Sequence, residues 1–188
     1  IRRFLRFARN RKRLLALSLE RRRGLEVIDE LRHLSCLVVS PGGVATTEFM
    51  KHLSSYVALN DFNDRDGLKH LRRPPRNWTT DDPRIIFITG EKNSIYRSLR
   101  RRGFLSQQAA KLGSPISLFL PHPLKKIPFY RAIHDQETLW KSCMSQRGML
   151  VLSFENIFER AQEVADFLQI DDPQFIANFP RRRERLSA

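Results

Sequence analysis

The chain has 188 residues, 41% of them hydrophobic, which suits one globular domain with a real core and excludes two independent catalytic domains. No run approaches ~18 consecutive apolar residues, so the sequence predicts no membrane span. The formal net charge of +14 favours polyanionic partners, such as nucleic acid, anionic lipid headgroups, acidic glycans or nucleotides.

The two cysteines, Cys36 and Cys143, are too few for a disulfide framework and have no metal-binding spacing. They slightly favour a reducing, cytoplasmic compartment. Because the chain begins with Ile and not Met, a fragment that has lost its targeting segment is the alternative, and the Golgi lumen is then allowed.

Residues 1–33 are predicted to form a basic helical segment, ahead of an α/β domain over residues 34–188. The segment holds eleven basic and four acidic residues, and leucines and an isoleucine recur in it at helical spacing. Such a helix can lie on an anionic membrane or another polyanion. The alternative is a helix packed on the domain with solvated arginines, which the ragged apolar face around residues 21–23 favours.

The rest of the chain alternates between apolar runs and amphipathic stretches. Alternation of this kind predicts an α/β fold with a mostly parallel sheet. The predicted strands are residues 36–40, 56–59, 84–89 and 149–153, and the predicted helices are residues 46–53, 93–102, 129–146, 155–169 and 173–178. Residues 60–82 are polar and form a long predicted loop, and residues 104–127 are mixed.

The first predicted strand runs into the loop SPGGVATT, residues 40–47. Two glycines let the backbone turn sharply, and the following helix N-terminus and two threonine hydroxyls can bind phosphate. The candidate ligands are Gly42, Gly43, Val44, Ala45, Thr46 and Thr47. The loop is not a Walker A motif, because no Gly-Lys-Ser/Thr follows the glycines. A simple glycine turn with Thr46 as a helix N-cap is equally compatible with the pattern.

A second loop follows the predicted strand 84–89, at Gly90. Lys92, Arg97 and Ser98 lie in the first turns of the next helix, where they can bind a second anionic group. The alternative is a capped helix with a basic face in solvent.

Three motifs in this order resemble the PAPS-dependent P-loop sulfotransferases, where PAPS is 3′-phosphoadenosine-5′-phosphosulfate. They are VVSP at 38–41 with TTEF at 46–49, IIFI at 85–88 followed by Ser98, and SFEN at 153–156 with ADFL at 165–168. The resemblance covers about residues 36–170. It implies a P-loop-like three-layer sandwich with a mostly parallel central sheet. It also implies that PAPS is the co-substrate, without a metal, and that a sulfuryl group moves to a hydroxyl or amine.

By the same resemblance, the first loop cradles the 5′-phosphosulfate, and Ser98 with Lys92 or Arg97 binds the 3′-phosphate. Two positions depart from the family: Gly42 stands near the place of the loop lysine, and Gly90 stands at the arginine of the second site. Either cations come from elsewhere, as the arginine tail 181–185 could provide, or the chain is a non-catalytic relative, or the alignment is off by one residue.

Sulfuryl transfer also needs a base to take the acceptor proton. His70 is the candidate, because the segment LKHLR at 68–72 is faintly similar to the family's histidine segment. Glu48 and His52 are alternatives, and a solvated loop histidine is the non-catalytic interpretation. The sequence contains no zinc spacing and no Gly-x-Ser-x-Gly elbow.

The rival function is a non-catalytic basic protein of the same fold that binds nucleotide or a polyanion. A nucleotide kinase is disfavoured by the missing Walker lysine. The acceptor is expected to be an acidic glycan or a small molecule, surface association with an anionic membrane is allowed, and the oligomeric state stays open.

Overall fold

The structure is a computed structural model that describes residues 2–23, 29–44, 46–75, 83–121, 124–143 and 148–181. In these ranges it is a mixed α/β fold with a three-stranded parallel sheet, which confirms the predicted class to that extent. The strands are β1 (Cys36–Val39), β2 (Arg84–Thr89) and β3 (Met149–Ser153). The α-helices are α1 (Arg2–Arg23), α2 (Thr46–Leu53), α3 (Lys92–Arg101), α4 (Leu105–Lys111), α5 (Lys126–Lys141), α6 (Ala161–Leu168) and α7 (Pro173–Ala177). Short 3-10 helices cover Asp29–His33, Pro115–Leu118 and Ile157–Glu159.

The sheet has the strand order β1-β2-β3, and both neighbouring pairs are parallel. All four β1 residues and the central four of β2 are buried, as expected for strands covered on both faces. Alternate side chains enter two separate cores, so Val38 and Ile86 pack with α2 and α3, while Val39 and Phe87 pack with Trp140 of α5.

The predicted strand 56–59 is reduced to a single bridge. Leu59 pairs in parallel with Cys36, which also pairs with Arg84 of β2. Leu59 therefore lies beside β1 on the edge opposite β2.

One predicted helix begins later than expected. Residues 155–169 were predicted as a single helix, but a 3-10 turn precedes α6, which starts at Ala161. The Asn156 side chain accepts a hydrogen bond from the Ser153 backbone at 3.2 Å, and the Arg160 guanidinium donates to the Val151 carbonyl at 2.8 Å. These bonds tie the segment to the end of β3, which periodicity alone does not reveal.

Helix α1 packs against α4 and the 3-10 helix Pro115–Leu118, and its Ser18 and Arg21 side chains are buried. Residues 24–28 of the predicted basic segment lie outside the described residues. Of the helices in the described ranges, none is both long and apolar enough to cross a bilayer.

Candidate functional site

A cleft of about 570 Å³ opens at the carboxyl ends of β1 and β2. In open parallel sheets, ligands bind outside the carboxyl ends of the strands. The loops after β1, β2 and β3, one face of α3, helix α4 and part of the segment 62–70 line the cleft. The topology therefore places a cleft where this class of sheet binds its ligands.

The first loop is held in a sharply turned conformation. Gly42 and Gly43 have φ values of +85° and +78°, which residues with a side chain rarely adopt. The buried Ser40 hydroxyl accepts hydrogen bonds from the Gly42 backbone at 3.3 Å and from the Thr46 hydroxyl at 2.9 Å. The loop shape is thus fixed from inside, and Gly42, Gly43, Val44, Thr46 and Thr47 all line the cleft.

The two predicted threonines have different surroundings. The Thr46 hydroxyl donates to Ser40, and its side chain is buried. The Thr47 hydroxyl instead accepts a hydrogen bond from the Lys69 ammonium, with 2.7 Å between Oγ1 and Nζ. Both threonines were predicted to bind phosphate, with Thr46 as a simple helix N-cap the alternative, whereas the Thr46 hydroxyl forms a bond that stabilises the loop.

Lys69 brings a cation to this loop, and the sequence analysis did not select it. Its ammonium also donates to the Phe62 carbonyl at 2.7 Å, and only 5% of the residue is exposed. Burial lowers the pKa of Lys69 to about 8, and the nearby Asp64 carboxylate opposes that shift. The only available signal was its position next to His70 in the segment 68–72.

His70 also lines the cleft. Its Nδ1 atom lies 2.9 Å from the Ser40 carbonyl oxygen, which can only accept, so Nδ1 carries a hydrogen. Burial lowers the pKa of His70 to about 4, which keeps the ring neutral at neutral pH. Its Nε2 atom is consequently unprotonated and able to accept a proton.

The two alternative bases are placed differently. Glu48 lines the cleft and pairs with Lys51 at 3.3 Å. His52 is absent from the cleft lining and packs among Tyr56, Phe175 and Phe179. Of the two histidines, only His70 faces the space where an acceptor could bind.

On α3, one face of the helix borders the cleft. Ser98 lies there, but Lys92 and Arg97 are not among the lining residues. Arg102, four residues after Ser98, does line the cleft, and its Nε donates to the Ser98 carbonyl at 3.2 Å. The cation beside Ser98 is therefore Arg102, because residues four apart share a helix face.

Two carboxylates, those of Glu91 and Glu155, form hydrogen bonds at the N-terminus of α3. Glu91 accepts hydrogen bonds from the backbones of Asn93 and Ser94 at 2.8 and 2.6 Å, and its own N–H donates to Glu155 at 3.3 Å. Gly90 has no room for a side chain, since a Cβ there would lie 2.8 Å from Val44 Cγ1. An arginine at this position is incompatible with the packing of the two loops.

Gln108 of α4 faces the first loop from the other side of the cleft. It is 5% exposed, and its Nε2 atom has no hydrogen-bond partner in the part of the chain that the structure describes. A Cβ added to Gly42 would lie 3.1 Å from this atom. A buried amide donor without a partner is unusual, and this one lies against the first loop at Gly42, in a residue that lines the cleft. The sequence analysis missed it because residues 104–127 had no clear pattern.

Lys111, one turn further along α4, forms an ion pair with Asp64, and Asp64 also accepts the Lys69 backbone N–H at 3.0 Å. These bonds hold the segment 61–70 against α4.

Some of the predicted site residues lie outside the described residues, namely Ala45, residues 76–82 of the predicted loop and residues 182–185 of the arginine tail. Within the described ranges, no group of His, Cys, Asp and Glu side chains could hold a metal ion.

No family model, curated protein or solved structure matches this chain. The chemistry of the cleft is therefore inferred from its own residues.

Proposed function

We propose that the chain is a PAPS-dependent sulfotransferase with a P-loop-like three-layer sandwich. The observation that carries this proposal is the Lys69 ammonium, 2.7 Å from the Thr47 hydroxyl, next to a neutral His70. The sequence has Gly42 near the place where the sulfotransferases have a loop lysine, and the Lys69 ammonium supplies a cation at the same loop. Helices and loops that pack on both faces of the parallel sheet support the sandwich.

Each end of the donor has a set of residues to hold it. The backbone of residues 42–47 and the Lys69 ammonium bind the 5′-phosphosulfate, and Gln108 Nε2 supplies a further hydrogen bond. Ser98 and Arg102 bind the 3′-phosphate. The cleft volume of about 570 Å³ is in the range of small-molecule sites, and no metal is required.

The reaction is an in-line displacement at sulfur. His70 Nε2 takes the proton of the acceptor hydroxyl or amine, whose oxygen or nitrogen forms the new bond to sulfur. The bond between sulfur and the bridging phosphate oxygen breaks, and Lys69 stabilises the negative charge that develops there. The products are the sulfated acceptor and 3′-phosphoadenosine-5′-phosphate (PAP).

The several negative charges of a bound donor raise the pKa of His70 and favour proton acceptance. The net charge of +14 makes an acidic glycan a suitable acceptor.

Calorimetric titration with PAP tests the binding step. We expect wild-type protein to bind PAP and Lys69→Met to bind about tenfold to hundredfold more weakly, because a charge-assisted hydrogen bond is worth roughly 1.5–3 kcal/mol. Lys141→Met is the control, since Lys141 is an exposed lysine of α5 that does not line the cleft. Absence of PAP binding at millimolar concentration would refute the proposal.

A non-catalytic nucleotide or polyanion binder is the second candidate, and the net charge of +14 favours it. His70→Ala separates the candidates in an assay of sulfuryl transfer from PAPS. For an enzyme, transfer falls while PAP affinity is retained. For a binder, neither protein transfers, and affinity for heparin falls steeply with salt.

A further inference from the structure

A second feature of the molecule lies outside the cleft. Seven large apolar side chains of the described residues are exposed, and five of them fall within residues 104–127. Single exposed apolar residues are ordinary, but a cluster indicates an interaction site. We define the apolar–basic surface as the apolar residues Ile116, Phe119, Leu124 and Ile127 with the cations Arg11, Lys125 and Lys126.

The apolar members of this surface point outward in two pairs. Ile116 and Phe119 are three residues apart at a 3-10 helix, where such side chains eclipse. Leu124 lies two residues before α5 and Ile127 lies in its first turn, and they are 57% and 71% exposed. Side chains this exposed contribute little to the core, so folding does not explain them.

Cations lie beside these apolar tips. The Arg11 guanidinium is 5.7 Å from the centre of the Phe119 ring. The Lys126 ammonium is 5.4 Å from the centre of the Tyr130 ring. Burial, and then the charge of Arg11, lowers the pKa of Lys125, which places these two cations within electrostatic reach of each other. The two apolar pairs are therefore joined by a shared group of positive charges.

No acidic residue interrupts the stretches of chain that build this surface. Residues 92–134 contain nine Lys and Arg and no Asp or Glu, and residues 10–19 of α1 contain three and none. Lys12 and Arg13 of α1 are also exposed. Protruding aliphatic side chains with a basic surround are the combination that binds a lipid interface.

We propose that the apolar–basic surface docks on an anionic lipid bilayer. The four apolar side chains enter the boundary between headgroups and acyl chains, and the cations pair with lipid phosphates. Nucleic acid or an acidic glycan would use the same charges but has no place for Leu124 and Ile127. The surface adjoins the cleft, because the Lys125 ammonium contacts the Ser106 hydroxyl at 3.3 Å and Ser106 precedes the cleft residue Gln107. Docking therefore brings the cleft close to acceptors carried by the membrane.

Vesicle co-sedimentation tests the proposal with the full chain. We expect binding to vesicles that contain phosphatidylserine and much weaker binding to phosphatidylcholine alone. Replacing Ile116, Phe119, Leu124 and Ile127 together by Gln should weaken binding to the anionic vesicles at least about tenfold, because each loses apolar area from the interface. The control is Ile176→Gln, an exposed isoleucine on α7 that should change nothing.

A charge variant and a depth probe complete the test. Lys125→Gln with Lys126→Gln should weaken vesicle binding about tenfold, since each cation near the surface contributes about 1 kcal/mol, whereas the exposed Lys141→Gln should not. Fluorescence of I127W should be quenched by lipids with brominated acyl chains beyond the wild-type level, and that of I176W should not.

Three results would overturn the proposal: no binding to anionic vesicles, undiminished binding of the fourfold Gln variant, or no quenching of I127W. The second result would identify a general attraction to polyanions, and heparin would then compete equally with the vesicles. Circular dichroism and the melting temperature confirm that each variant folds. These outcomes are independent of PAP binding, so failure of docking and failure of the sulfotransferase proposal are distinguishable.

Discussion

The two loops at the carboxyl ends of β1 and β2 connect the same kinds of element in the same order, but their electrostatic character is opposite. Each follows a buried parallel strand, contains glycine and leads into a helix. The β1 loop is faced by two side-chain donors, the Lys69 ammonium and the Gln108 amide. The β2 loop is faced by two acceptors, the Glu91 and Glu155 carboxylates. We therefore expect the first loop to attract an anion and the second to repel it.

On the β1 side the charge comes from residues outside the loop, whereas Glu91 belongs to the β2 loop itself. Lys69 and Gln108 belong to a segment and a helix that fold over the β1 loop. On the β2 side, an anion can bind only one or two turns further along α3, at Ser98 and Arg102. A strand–glycine–helix pattern thus predicts where a binding loop lies, but its surroundings decide what charge the loop accepts.

The largest expected effect comes from filling the β1 loop. Gly42→Ala places a Cβ 3.0 Å from the Gln108 side chain at a φ of +85°, so the loop must leave its present conformation. We expect PAP affinity to fall at least about hundredfold, roughly 3 kcal/mol. Calorimetry measures the affinity, and thermal melting measures the accompanying loss of stability.

Gly103→Ala is the matched control for that variant. Gly103 has a similar φ of +74°, and a Cβ there would meet nothing within 4 Å. It should lose the same stability to backbone strain and keep its PAP affinity. Equal losses of affinity in both variants would mean that backbone strain, and not the shape of the β1 loop, controls binding.

The next effect concerns the acid sensitivity of the β1 loop. The pKa of His70 is about 4 in the fold against an ordinary 6.5, so the unfolded chain takes up the proton first as pH falls. Stability is therefore lost between pH 6.5 and about 4, by at most about 3 kcal/mol. His70→Asn can keep the hydrogen bond to the Ser40 carbonyl without titrating.

Urea unfolding of wild type and His70→Asn across this pH window measures the effect. The wild type should lose more stability than the variant as the pH falls. Parallel curves for the two proteins would show that His70 is not buried as a neutral ring, and its assignment as the base would then fail.

Three of the four predicted strands and the glycine turn of the β1 loop are present in the structure, because these features depend on local patterns. The buried strands are short apolar runs, and the consecutive glycines 42 and 43 indicate a sharp turn. The cations of the site were not predictable in this way. Lys69 is 22 residues from Thr47 in the sequence but forms a hydrogen bond to it. Arg102 is one of three consecutive arginines, and the sequence does not show which of them faces the cleft. Contacts of this kind are formed by the tertiary fold, so no local sequence pattern predicts them.

A smaller effect distinguishes ligand-binding from structural glutamines beside the β1 loop. Gln108→Leu removes a buried donor without a partner, so stability should hold or rise while PAP affinity falls about threefold to tenfold. Gln136→Leu removes a donor that bonds the Leu71 carbonyl at 2.7 Å. It should cost about 1–3 kcal/mol of stability and leave PAP affinity unchanged. If Gln108→Leu destabilises the fold and leaves affinity intact, then Gln108 serves packing and not the ligand.

The smallest effect is expected at the β2 loop. Hydrogen bonds from Ser94 and Asn93 hold the pKa of Glu91 below its usual value, so its stabilising effect is present at neutral pH and is lost as the pH falls through that lowered pKa. Glu91→Gln should flatten this part of the pH dependence and raise PAP affinity by about twofold at low salt, because one exposed negative charge leaves the cleft edge. Glu159→Gln, an exposed glutamate that does not line the cleft, should do neither. A fall in affinity for Glu91→Gln would instead show that the carboxylate binds a ligand hydroxyl, and both loops would then belong to the binding site.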